Sequence, residues 1–239
     1  MFENSPELTG KEIPTVTTKL TPTEKKWNPL GETRSFLRQA KEQFGTTGAI
    51  LPSSGYLARA ICQSLRGERG PWNILEVGPG TGAITREIAR AMRPGDKLLA
   101  VEINQRFADH LRQEFETKNC FDAVRQQIEV QCGRLEDTAG EASYDCIISG
   151  LPMNNFDGEM VRNIFQVFRR LLKPGAPLSY YEYLGIRDLK YPFVKKGEKK
   201  RLSEISQIVN EEILNHQVRF RRVWLNIPPA AVRTLVLKP

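Results

Sequence analysis

The sequence predicts an α/β fold: a largely parallel sheet with helices on both faces, closed by a C-terminal antiparallel hairpin. Three observations predict it. From residue 72 onward, short apolar runs alternate with amphipathic runs of helical period. Gly78, Gly80 and Gly82 stand together between one such apolar run and the next amphipathic one. The last two strand-like segments are joined by so few residues that they must pair antiparallel, because a parallel crossover needs a dozen or more.

The elements follow in order. "WNILEV" reads as a first strand and "TGAITREIARAM" as a helix that Pro94-Gly95 ends. "KLLAVEI" is a second strand. "NQRFADHLRQEFETK" is a helix with Asn104 in the capping position. "QIEVQC" and "YDCIIS" are the third and fourth strands. "GEMVRNIFQVFRRLL" is a helix stopped by Lys173-Pro174-Gly175, and "APLSYYEYL" is a fifth strand. "KYPFVKKGEKKR" reads as a basic loop and "LSEISQIVNEEIL" as a further helix. "QVRFRRVWLN" and "AAVRTLVLK" form the closing pair through Ile227-Pro228-Pro229.

Ahead of this domain, assigned to residues 71–239, lie two other regions. Residues 1–30 carry Pro6, Pro14, Pro22 and Pro29 among polar residues and read as a disordered leader. Residues 31–70 read as N-terminal helices. One, over 32–44, aligns Phe36, Leu37, Ala40 and Phe44 on one face beside Arg34, Arg38 and Lys41, as an interfacial helix does. The next, capped by Ser53 or Ser54, turns Leu57, Ala60, Ile61 and Leu65 inward.

Composition narrows the function. The chain has 239 residues and a net charge of +7, which suggests an anionic partner, either nucleic acid or a membrane surface. Its four cysteines form no CxxC pair and there are only two histidines, so we expect reduced thiols, a cytoplasmic setting and no metal site. No apolar run reaches the ~20 residues that span a bilayer.

The glycine loop satisfies the dinucleotide pattern on its face, with Glu102 at the end of the second strand placed to bond ribose hydroxyls. NAD and S-adenosyl-L-methionine (SAM) are tied to this point. Glu76, two residues before the first glycine, breaks the tie: a carboxylate there welcomes an ammonium and repels a pyrophosphate. Pro79 removes one backbone N–H from the loop, weakening it as an anion cradle.

"LEVGPGTG", "AVEIN" and "ISGLP" resemble the SAM-binding motifs of class I methyltransferases. The resemblance implies a seven-stranded Rossmann-like sheet. It places Glu76, Gly78, Pro79, Gly80, Thr81 and Gly82 around the methionine part of the cofactor, Glu102 on the ribose and Ile103 against the adenine. S-adenosyl-L-homocysteine (SAH) would be the product. The family often has an acid after strand three. This chain has Arg134 there, so adenine recognition is expected from backbone around Leu135, or from Glu136.

The methyl acceptor is read from the segment after strand four, where ligands bind in such sheets. Ribosomal RNA adenine dimethylases carry an Asn-Leu-Pro-Tyr type motif there. This chain reads Ser149-Gly150-Leu151-Pro152-Met153, without the acceptor amide or the stacking aromatic. Asn154 and Asn155 fall out of register.

By contrast, the segment holding Gly48 to Ser54 and Leu57 to Ala60, the segment "SGLPMNNF" and the segment Val223 to Ala230 resemble three separated stretches of bacterial phospholipid N-methyltransferases. That resemblance implies N-methylation of the headgroup amine of an aminophospholipid, phosphatidylethanolamine towards phosphatidylcholine. The enzyme would lie at the anionic inner face of the membrane, with Lys190, Lys195, Lys196, Lys199, Lys200 and Arg201 helping to hold it. Ser149 to Pro152 would then edge the reaction site. Tyr183 matches a tyrosine expected after strand five and would guide the amine proton out. Tyr56, Phe156, Tyr180 and Tyr181 are further pocket candidates, since aromatic faces tolerate a growing methylammonium. Strand alternation sets Tyr181 and Tyr183 on one face and Tyr180 with Glu182 on the other. The alternatives are an rRNA adenine-N6 methyltransferase and a SAM-binding module without catalysis.

Overall fold

The structure is a computed structural model that describes residues 53–153, 156–184 and 196–238. The proposed leader, the 32–44 helix, Asn154, Asn155 and the 185–195 part of the basic run lie outside these residues.

Among the described residues the α-helices and strands follow in this order: α1 Gly55–Ile61, β1 Asn73–Val77, α2 Ala83–Ala91, β2 Lys97–Glu102, α3 Gln105–Thr117, β3 Ile128–Cys132, β4 Cys146–Ser149, α4 Gly158–Leu171, β5 Pro177–Tyr183, α5 Lys196–His216, β6 Gln217–Val223 and β7 Ala230–Val236. The strands make one seven-stranded sheet in the order β3-β2-β1-β4-β5-β7-β6. β1 to β5 pair in parallel, and β7 enters antiparallel between β5 and β6. The expected fold class is thus the observed one. The strand order reverses between β1 and β4, and the crevice at that switch point is where such sheets bind ligands.

Strand alternation sorts the core onto two faces. Leu75, Val77, Ile147, Leu178 and Tyr180 pack under Val161, Phe165 and Phe168 of α4 and Ile205 and Val209 of α5. Ile74, Leu98, Ile148 and Val232 pack under Leu57 and Ile61 of α1 and Ile84 and Ile88 of α2. A third cluster joins Ala100 to Leu111 and Phe115 of α3.

Side chains cap the helices where the sequence places short polar residues. Ser54 Oγ accepts from Leu57 N at 3.2 Å, and Asn104 Oδ1 from Arg106 N at 2.9 Å. Asp157 Oδ1 accepts from Met160 N at 2.7 Å, a cap the sequence reading did not name.

One element differs from expectation. The run "KYPFVKKGEKKR" was expected as a loop throughout, yet α5 begins at Lys196, so its second half is helical. An apolar stripe that would mark a helix is missing there, and Ile205, Ile208 and Val209 further on tie the helix to the core.

Candidate active site

The carboxyl ends of β1, β2 and β4 are stitched together by backbone. Gly78 N donates to Val101 O at 2.9 Å, and Gly150 N to Val77 O at 2.8 Å. The loop from Gly78 to Gly82 runs between them, with positive φ at Gly78, Gly80 and Gly82. Gly82 caps α2 in the left-handed region, and a Cβ on it would stand 2.8 Å from Leu111 Cδ1. Gly80 is different: a Cβ there would meet nothing within 4 Å, so its left-handed turn faces open space.

Glu76 lies under this loop. It is 1% exposed, and neither carboxylate oxygen has a hydrogen-bond partner of ordinary geometry among the described residues. Burial pushes its carboxyl up to about 8. The neighbouring Thr85 offsets this only partly, and the charge of Glu102 adds to it. An unpartnered buried carboxylate costs free energy unless something meets it. The ammonium of a SAM molecule would do so.

Glu102 is buried, with one oxygen turned to the loop and the other to the start of α3. Oε2 accepts from Gly80 N at 3.0 Å and Oε1 from Asn104 N at 2.9 Å. Burial lifts this carboxyl above its ordinary value although the Asn104, Gly80 and Ile103 amides favour the charged form. A carboxylate has about four acceptor sites, so these amides leave lone-pair capacity for a ribose hydroxyl. Ile103, next in the chain, is exposed as an adenine-packing residue requires. Leu135 is buried in a short 3-10 turn. Arg134 pairs with Glu136 at 3.0 Å, and that pairing outweighs burial and holds the Glu136 carboxyl below its ordinary value. The open turn at Gly80, the unpartnered carboxyl of Glu76 and the spare lone pairs of Glu102 fit SAM.

The segment after β4 closes the crevice. Ser149 is buried, and its Oγ accepts from Leu151 N at 3.3 Å. A Cβ on Gly150 would lie 2.6 Å from Gly78 O, so this position admits only glycine while the loop stays where it is. Leu151 lies against Gly78, and Met153 turns into the α4 side of the core.

The aromatic candidates divide. Tyr181 and Tyr183 pack on the α1 side, their ring centroids 5.5 Å apart at 74°. Burial, with Tyr181 adding to it, raises the Tyr183 hydroxyl well above its ordinary value, so it stays a neutral phenol. Tyr56 is exposed on the first turn of α1. Phe156 and Tyr180 lie on the α4 side, where Tyr180 packs edge-on against Phe165. The structure therefore does not gather Phe156 and Tyr180 with Tyr181 and Tyr183. Glu182 pairs with Arg233 at 2.7 Å.

Sequence reasoning missed Asn226. Its Oδ1 accepts from Ser54 N at 2.9 Å, and its Nδ2 donates to Pro228 O at 2.7 Å. Leu184 N donates to Pro229 O at 2.7 Å. The Ser53-Ser54 stretch, the end of β5 and the Asn-Ile-Pro-Pro stretch are so fastened together beside Tyr183. The signal was present only as separate resemblances. Among the described residues no three His, Cys, Asp or Glu side chains group as metal ligands do, and no helix is long and apolar enough to cross a membrane.

Comparison with known proteins agrees with this geometry. Residues 74–175 match the family model described as a methyltransferase domain. The chain is 31% identical over 135 residues to an ornithine lipid N-methyltransferase of Singulisphaera acidiphila, a match covering 55% of this chain and 67% of that protein. It is 37% identical over 82 residues to an rRNA methyltransferase of Streptomyces thermotolerans, covering 34% of this chain and 24% of that protein. Among solved structures, an O-methyltransferase from Bacillus cereus in complex with SAH superposes with a TM-score of 0.56 at 17% identity, covering 85% of this chain and 91% of that one. The O-methyltransferase TomG from Streptomyces achromogenes, in complex with SAM, superposes with a TM-score of 0.57 at 16% identity, covering 91% and 100%. The chain belongs to the class I SAM-dependent methyltransferases, and SAM is its cofactor.

Proposed function

We propose that this methyltransferase acts on the headgroup amine of an aminolipid at a membrane surface, with phosphatidylethanolamine, on the way to phosphatidylcholine, as the substrate. The observation that carries the reading is the fastening of three separated segments, through Asn226 and Pro229, beside Tyr183 at the carboxyl edge of the sheet. Two of them, around Ser54 and Asn226, belong to the stretches that resemble phospholipid N-methyltransferases, and Tyr183 at the end of the third matches a tyrosine expected there in that family. The relation to an ornithine lipid N-methyltransferase supports an amine on a lipid as acceptor.

SAM supplies an electrophilic methyl group on its sulfonium. The chain's own residues align and desolvate the acceptor. A lipid amine with a pKa near that of lysine, about 10.4, is in its reactive form roughly once in a thousand molecules at neutral pH. Desolvation beside Tyr181 and Tyr183 raises that share. The neutral Tyr183 hydroxyl accepts a hydrogen bond from the departing proton's side of the nitrogen and orients its lone pair. Ser149 to Pro152 wall the crevice.

An adenine acceptor is less well served. An asparagine at position 150 would clash with the carbonyl of Gly78, and the Met153 side chain packs into the core where the dimethylase motif offers a stacking ring. The test is methyl transfer from labelled SAM to vesicles of phosphatidylethanolamine, to vesicles containing ornithine lipid, and to unmodified small-subunit RNA. We expect label in the phosphatidylethanolamine. Label in ornithine lipid alone would replace the substrate, and label in RNA alone would end the reading.

A further inference from the structure

The turn between β6 and β7 carries Trp224, Leu225 and Ile227, which are 65%, 66% and 75% exposed. They stand on a turn whose base is fastened by hydrogen bonds. Asn226 between them is buried, bonded to Ser54 N and to Pro228 O, and Leu184 N holds Pro229 O. The tip is thus presented by the same clamp that closes the end of β5 beside Tyr183. Tyr56, two residues past Ser54, is exposed beside that anchor.

The closing hairpin itself carries charge of one sign. From Gln217 to Pro239 the chain has no acidic residue but carries Arg219, Arg221, Arg222, Arg233 and Lys238. Arg219 and Arg221 are exposed on β6 and make no ion pair among the described residues. Arg222 lies over the Phe220 ring at 5.2 Å. A protein partner for an exposed apolar turn needs a matching pocket, whereas a bilayer needs none. Indole belongs at the headgroup level, aliphatic side chains just below it, and arginines among anionic phosphates.

We propose that the β6–β7 turn is a membrane-docking tip, with Trp224, Leu225 and Ile227 entering the headgroup–acyl boundary of an anionic bilayer and Arg219, Arg221 and Arg222 meeting its lipid phosphates. This rests on the aminolipid reading and deepens it: docking here brings the bilayer surface to the end of β5, where Tyr183 would receive the headgroup amine.

The test uses the full chain with Trp27→Phe and Trp72→Phe, leaving Trp224 as the sole indole, and vesicles of phosphatidylethanolamine and phosphatidylglycerol. Vesicles should shift the Trp224 emission to shorter wavelength, and bromine-labelled lipid tails should quench it. In the otherwise unaltered chain, joint replacement of Trp224, Leu225 and Ile227 by serine should weaken vesicle binding at least ~10-fold. It should leave SAH affinity unchanged, slow methyl transfer on vesicles and spare transfer to detergent-dispersed phosphatidylethanolamine. Emission unmoved by vesicles would overturn the proposal. So would emission already blue-shifted without them, which would mean that the chain's own amino-terminal segment covers the tip. Tip insertion with no transfer to any aminolipid would support the docking site while refuting the substrate. Transfer to lipid with an unresponsive Trp224 would do the reverse.

Discussion

Two buried carboxylates flank the first strand, and their surroundings are opposite. Asp96, before β2 at the amino-terminal edge of the sheet, is 0% exposed and fully met. It takes a bidentate pair from Arg69 at 2.7 and 2.6 Å, with Trp72 N and Arg93 N at 2.8 Å each. Burial would raise its carboxyl, but these donors hold it below its ordinary value. Glu76, at the carboxyl edge, is as deeply buried, is met by no donor of ordinary geometry among the described residues, and sits at about 8. Equal burial with unequal satisfaction separates a group that holds the fold from one with acceptor capacity left over, as a ligand-binding group would have.

Breaking the satisfied carboxylate should have the largest effect. Asp96→Asn leaves the Arg69 guanidinium buried without its counter-charge, which costs on the order of 3–5 kcal/mol. That lowers the melting temperature by roughly 10 °C, readable by calorimetry. An unchanged melting point would mean that the pair contributes little.

Breaking the unsatisfied one should do the reverse. Glu76→Gln is expected to weaken SAH binding ~100-fold, the loss of one charge-assisted hydrogen bond, while the ligand-free protein becomes more stable near pH 8. The sign follows from linkage. The folded carboxyl titrates at about 8 against an ordinary 4.5, so Glu76 adds stability below pH 4.5 relative to higher pH, and this is lost as pH rises to 8. The variant lacks that loss, so the two stability curves should diverge between pH 4.5 and 8. Parallel curves would contradict the unmet carboxylate.

Smaller effects sharpen the site. Gly150→Ala forces a Cβ against Gly78 O, so either the loop or the β4 segment must shift. A cost of about 1–3 kcal/mol is expected, with weaker SAM binding. Unaltered SAM affinity would show that the crevice tolerates the shift. Tyr183→Phe should bind SAM normally and turn over roughly 10-fold more slowly, about 1.4 kcal/mol in the barrier. Equal turnover would remove Tyr183 from the amine pocket.

The comparison also shows what a sequence carries. The sheet was legible because burial on two faces writes apolar runs such as "ILEV" and "LLAVE", and because a tight strand-to-helix turn demands glycine at Gly78, Gly80 and Gly82. Glu76 and Glu102 were legible because they sit at fixed places relative to that turn. The Arg69–Asp96 pair was not, since its members are 27 residues apart in loops, where no period marks them. The Asn226 clamp joins residues 172 apart. The start of α5 was hidden by a run of charge that lacks an apolar stripe. The reason for Gly150 lies in a carbonyl of another loop and appears only once β1 and β4 are paired.

The central claim is that Glu76 waits, protonated, for the ammonium of the cofactor. Calorimetry of SAH binding at pH 7, repeated in buffers of different ionisation enthalpy, counts the protons exchanged. The account predicts that close to one proton leaves the wild-type protein per SAH bound and that none leaves the Glu76→Gln protein. Binding of SAH to the wild type without proton release would contradict it.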